Sequence, residues 1–166
     1  MADKEQVIQE KVEQDGLMDF PALYSYAHSI FKEELYGIDE EKYIEKITGN
    51  KRDITIEWKA TKQLSDYFRI EDKIKFEIKN MTDVEVEIDG AKKKMNKGQI
   101  TIDIKGIVVK DFDSKWEKSP FTRFTRDVYN KYIIPSRVRD TKEKIKLDII
   151  TFKEKIKAFL ELSGRR

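Results

Sequence analysis

The sequence predicts an α+β domain with N-terminal helices, an antiparallel β-meander of about five strands and two C-terminal helices, the last packed on the sheet. Three observations carry this. The spacing of apolar residues changes from helical to alternating near Arg52. Asp89-Gly90 is a two-residue hairpin signal, because both central positions of such a turn need positive φ. Near the C-terminus, Ile145, Ile149, Phe152, Ile156, Phe159 and Leu160 recur at steps of three and four, which puts them on one helical stripe.

Taken in order, residues 1–16 form a polar N-terminal segment with only Val7, Ile8 and Val12 to bury, expected as a marginal helix or a loose tail. Residues 17–166 are expected to form a single α+β domain. Asp19-Phe20-Pro21 opens a helix, with Asp19 as cap and Pro21 in the first turn, where its missing N–H costs nothing. Leu23, Ala27, Ile30, Phe31 and Leu35 supply its apolar face. Asp39 is expected to cap a shorter helix, EEKYIEKI, that stops at Gly49-Asn50.

From Arg52 onward, Ile54, Ile56, Trp58 and Ala60 alternate with Thr55, Glu57, Lys59 and Thr61. A second alternating run holds Ile70, Ile74, Phe76 and Ile78, and a third Val84, Val86 and Ile88. Asp89-Gly90 turns the third into AKKKM, and Asn96-Lys97-Gly98 is expected to turn that into a strand bearing Ile100, Ile102 and Ile104. At Gly106 the alternation breaks into Ile107-Val108-Val109, as at a bulge or a strand end covered on both faces. A helix from about Ser119 to Ile134, ended by Pro135, and a last helix starting at Asp140 complete the prediction.

Composition bounds the function. In 166 residues, 40% are charged and 39% apolar, and nine Phe, seven Tyr and two Trp are enough to fill a core. Cysteine is absent, which removes disulfides, thiolate metal sites and cysteine nucleophiles, and fits a cytoplasmic setting. No apolar run approaches the ~18 residues of a membrane span.

Net charge is +2, but residues 1–90 hold 13 basic against 22 acidic groups and residues 91–166 hold 21 against 10. Such asymmetry serves either an anionic partner or docking between the two halves or between subunits.

The sites that chemistry would use are sparse. In SPFTRFTRDVYNKY, residues 119–132, helical spacing puts Phe121, Phe124, Val128 and Tyr132 opposite Arg123, Arg126 and Lys131, so the aromatics and bases point apart and make no stacking platform. The outward rows of the strands hold no aromatic, which argues against a sheet that reads single-stranded RNA. His28 is the only histidine and reads as an ordinary packed or half-exposed imidazole, and with one His and no Cys no metal site and no cofactor are expected. The adjacent pairs Glu33-Glu34, Glu40-Glu41 and Glu71-Asp72 read as solvated charge, and no phosphate-binding glycine motif is present.

Basic charge gathers in three places. These are the hairpin tip Lys92, Lys93, Lys94 and Lys97, the connection Arg137 and Arg139, and one edge of the last helix bearing Lys142, Lys146, Lys153 and Lys157. With no catalytic constellation in view, the leading expectation is a non-catalytic binding or adaptor domain whose basic C-terminal half contacts nucleic acid or an acidic protein. The order of elements also resembles helix-grip folds of lipid-binding type, though no matching first strand is visible in the sequence. That resemblance implies a carrier of an apolar small ligand, in a cavity between curved sheet and terminal helix lined by Trp58, Phe76 and Phe152.

Overall fold

The computed structural model describes residues 3–65, 67–110, 124 and 135–164. Its strands are β1 (Asp3–Met18), β2 (Gly37–Thr48), β3 (Lys51–Gln63), β4 (Phe68–Ile88) and β5 (Ala91–Lys110). They form one antiparallel sheet in the order β1-β5-β4-β3-β2. Helix α1 (Phe20–Glu33) lies between β1 and β2 in the chain, and α2 (Pro135–Gly164) follows the sheet. The class is α+β as expected, but among the described residues one helix follows the sheet, not two. The helix expected over 119–134 falls outside the described residues, apart from Phe124, which is helical.

These are five strands, but not the five expected. The runs around Ile74 and Val84 are one strand, β4, and AKKKM continues through Asn96-Lys97-Gly98 into β5 without turning. What interrupts the ladder lies in β4, where the register shifts between Lys79 and Thr82 and Asn80 takes φ 54°. A Cβ on Gly98 would lie 2.9 Å from Met81 Cα, so this glycine makes room for the bulge opposite it. Asn96 is an anchor: its Oδ1 accepts from the Phe20 N–H (3.1 Å) at the start of α1, and its Nδ2 donates to Asp83 Oδ1 (2.8 Å). The Asp89-Gly90 turn forms as expected, with φ 51° and 79°.

The N-terminal segment, expected as a marginal helix or a loose tail, is β1, paired along its length with β5. Its alternation is hidden because half of its inward positions are polar. Ile8 and Val12 share the inner row with Glu10 and Gln14, and Gln14 Nε2 donates to the Leu160 carbonyl of α2 (3.0 Å). The segment EEKYIEKI, expected as a helix, is edge strand β2, joined to β3 by a two-residue turn with Gly49 at φ 64°. Almost every β2 residue is exposed, so no buried face imposed an alternating pattern, and Glu and Lys gave it a helical look.

Helix α1 begins as expected, the Ala22 N–H donating to Asp19 Oδ1 at 3.3 Å. It ends in a Schellman arrangement: Tyr36 N–H donates to the Phe31 carbonyl and Leu35 N–H to that of Lys32, both at 3.0 Å. Leu35, expected on the apolar face, instead takes the left-handed position at φ 66° and is 80% exposed.

Helix α2 starts at Pro135, five residues before the expected cap at Asp140. Its stripe of Ile145, Ile149, Phe152, Ile156 and Leu160 is buried against the sheet and α1, each side chain contributing about 1.5–3 kcal/mol. Gly106 permits the approach, because a Cβ there would stand 2.6 Å from Ile145 Cγ2 and 3.1 Å from Ile149 Cγ1.

Candidate functional site

The sequence placed the site on basic residues, and several of these lie close to acidic ones. Register sets Lys94 opposite Glu85 and Lys92 opposite Glu87, and Lys93 Nζ lies 3.4 Å from Asp19 Oδ2. On α2, Lys142 pairs with Glu5 at 2.8 Å, Lys153 with Glu10 at 2.9 Å, and Lys146 with Glu143 of its own helix at 3.7 Å. The first two bonds join the basic helix to the acidic first strand. Lys157, Arg137 and Arg139 are exposed.

The hairpin lysines and the arginine connection lie near opposite ends of α2, with the lysine edge of the helix running between them. Lys93 shares a shallow groove with Phe159 and Leu162 near the end of α2, whereas Arg137 and Arg139 sit in its first turns. At 1.5 Å per residue the two ends are separated by roughly 30–35 Å.

Trp58, Phe76 and Phe152 are all buried. Trp58 and Phe76 pack edge to face with centroids 4.8 Å apart, and Phe152 stacks obliquely on Phe31 of α1 at 4.6 Å. His28 packs edge-on to Trp58 at 5.7 Å, half-buried as its spacing suggested. Tyr24 lies beside Trp58 (5.0 Å) and Phe76 (6.3 Å), between them and an open groove of about 530 Å³.

This groove lies between the start of α1 and strands β2 and β3. Phe20, Tyr24 and Tyr43 line it over the buried Ile54 and Ile56, and Glu40 and Arg52 supply its charge. The β-bulge between Glu40 and Lys42 keeps both Glu40 and Tyr43 on the inner row, opposite Trp58 and Ile56. Tyr24 Oη donates to Glu40 Oε1 (2.6 Å) and Tyr43 Oη to Glu45 Oε2 (3.4 Å). Burial raises the pKa of both phenols, and their carboxylate partners raise it further. Arg52 is held by Asp83 at 2.7 Å and Glu45 at 3.7 Å.

A second polar cluster centres on two neighbours in β4 that point to opposite faces of the sheet. Glu71 and Asp72, read from sequence as solvated charge, are both fully buried. Glu71 points to the outer face and ion-pairs with Lys59 (2.8 Å) and Lys4 (3.0 Å). Its burial disfavours the charge, but the two lysines outweigh that and lower its pKa.

Asp72 is in register with Ala60 and Gly106, two residues too small to cover it, and neither of its oxygens has a hydrogen-bond partner of good geometry among the described residues. Burial and the nearby charge of Asp148 push its pKa well up, and the Ile107 N–H offsets this only in part. Tyr36 closes the cluster, its hydroxyl donating to Asp148 Oδ2 at 3.2 Å, while Lys144 approaches the same oxygen at 3.5 Å. A signal for Asp72 existed: it shares parity with Ile70 and Ile74, which places it on the inward row.

Among the described residues no group of three or more His, Cys, Asp or Glu is arranged to hold a metal ion. No described helix is long and apolar enough to cross a membrane. No protein-family model matches the chain, and no curated protein sequence or solved structure matches it either.

Proposed function

We propose that this protein is a non-catalytic carrier that takes a small ligand with an apolar body in the groove between α1 and the β2–β3 edge. The observation that carries the reading is the groove itself, about 530 Å³ and open to solvent, with aromatic side chains along it over the buried Ile54 and Ile56. Strand β1 favours it too, because it supplies the first strand that the helix-grip resemblance lacked in the sequence. The site lies on α1 and β3, not under the terminal helix, where Phe152 packs directly on Phe31.

The test is titration with a neutral naphthylamine dye, followed by dye emission and by energy transfer from tryptophan. Saturable binding that weakens several-fold in Tyr43→Ala is expected, since this ring is 51% exposed and its loss leaves the core intact. Dye binding that does not saturate, or that Tyr43→Ala leaves unchanged, removes the reading.

A second reading keeps the anionic partner, nucleic acid or acidic protein, and places it at the hairpin tip. Lys92, Lys93 and Lys94 are exposed there, and Lys97 is exposed farther along β5. The pairing of Lys142 and Lys153 with Glu5 and Glu10 weighs against extending that surface along α2. Binding to mixed-sequence RNA and DNA at two salt concentrations tests it, and no association at low salt would remove it.

A further inference from the structure

We infer that the ligand this groove prefers is an organic cation, an ammonium group on an apolar or aromatic body. The inference rests on the groove reading above. Its basis is an imbalance of charge beside aromatic rings. Among the described residues Arg52 is the one cation lining the groove, and two carboxylates, Asp83 and Glu45, already hold it. Glu40 is the one carboxylate among the described lining residues, and with Arg52 already met by the two acids beside the groove, no lining cation is left to balance it.

The hydroxyls leave that excess in place. Tyr24 and Tyr43 donate to Glu40 and Glu45, and a neutral donor bonds a carboxylate without cancelling its charge. The same bonds tether the rings of Tyr24 and Tyr43 beside the acids. Phe20, 6.2 Å from the Tyr24 ring, adds a third aromatic surface. Aromatic rings near carboxylates form the setting in which a weakly hydrated ammonium gains cation–π and Coulomb energy together. An anionic ligand would meet repulsion from Glu40 and find Arg52 already engaged.

The experiment compares three probes that share one body: 1-naphthylmethylammonium, 1-naphthylmethanol and 1-naphthoate, each titrated by calorimetry into the full chain at low and moderate salt. The ammonium is expected to bind about threefold to fivefold more tightly than the alcohol, with the naphthoate weakest, and salt should narrow the gap. Glu40→Gln should bring the ammonium-to-alcohol affinity ratio close to one, whereas general unfolding would weaken both probes alike and leave the ratio unchanged. Equal binding of ammonium and alcohol, or tighter binding of the naphthoate, overturns the cation preference while the groove reading stands. Absence of binding by all three overturns both.

Discussion

Replacing Asp72 with asparagine should make the protein more stable as pH rises, and the size of the effect follows from linkage. The folded state raises the pKa of this carboxyl, because it is fully buried, faces Asp148 and has no well-formed hydrogen bond among the described residues. An unfolded aspartate titrates near pH 3.9. Below that value Asp72 is protonated in both states and costs nothing extra. Above it the unfolded chain releases a proton that the folded chain keeps, so stability falls as pH climbs toward the raised folded value. The slope for one proton is about 1.4 kcal/mol per pH unit, which for a chain of 166 residues is roughly 3–6 °C in Tm per unit.

The amide that Asp72→Asn introduces cannot titrate, so the difference between the two proteins isolates this group from other carboxylates such as Glu5 and Glu77, whose lowered pKa values work in the opposite direction. Thermal melts of both proteins at pH 4, 5, 6 and 7 are the assay. Curves that converge near pH 4 and separate steadily above it are expected, with the variant the more stable. Parallel curves, or a variant that loses ground as pH rises, would refute the argument and show that the charged form of Asp72 is satisfied in the folded state. Asp148→Asn should shift the wild-type curve in the same direction by less, since it removes only the charge that opposes Asp72.

Three further outcomes test the packing. Gly106→Ala should lower the midpoint of urea unfolding by an amount corresponding to about 1–3 kcal/mol, because the new Cβ meets the branched side chains of Ile145 and Ile149; an unchanged midpoint would show that α2 does not depend on this approach. Leu35→Gly should raise stability by roughly 1 kcal/mol in thermal melts, since the residue is left-handed and its exposed side chain buries little. The double variant Glu5→Gln, Glu10→Gln should lose about 0.5–2 kcal/mol at low ionic strength, with the loss shrinking in roughly 0.5 M salt; a salt-independent loss would mean that packing, not charge, joins β1 to α2.

The elements that were legible are those with one fully apolar side. Trp58 and Ile56 of β3, Ile100 and Ile102 of β5, and the α2 stripe each show their period, because a run of neighbouring inward positions is filled by hydrophobes. The two misread strands sit at the sheet's edges. In β1 the inward Glu10 meets Lys153 of α2, so the partner that explains its polarity lies 143 residues away. In β2 the pairing with β3 overrides a helix-favouring composition, and no burial recorded that in the sequence. Asn96-Lys97-Gly98 looked like a turn because Asn and Gly serve turns, but the same residue types here anchor α1 and clear a bulge.

For the candidate site, the charge asymmetry between halves was plain, but not its use. The groove draws Tyr24 from α1, Tyr43 from β2 and Ile56 from β3, side chains that come together only when β2 takes the edge beside β3.

By itself the sequence determined the α+β class, the antiparallel pairing around Asp89-Gly90, the capped start of α1 and the apolar face of α2. Each of these depends on residues close together in the chain, where spacing and turn chemistry act directly. Tertiary structure alone decided that residues 3–18 extend the sheet, that Lys142 and Lys153 face glutamates of β1, and that Asp72 is buried with its carboxylate unsatisfied among the described residues. The physical reason is that charge and burial are properties of what surrounds a side chain. Those surroundings are assembled by strands and helices up to 146 positions apart.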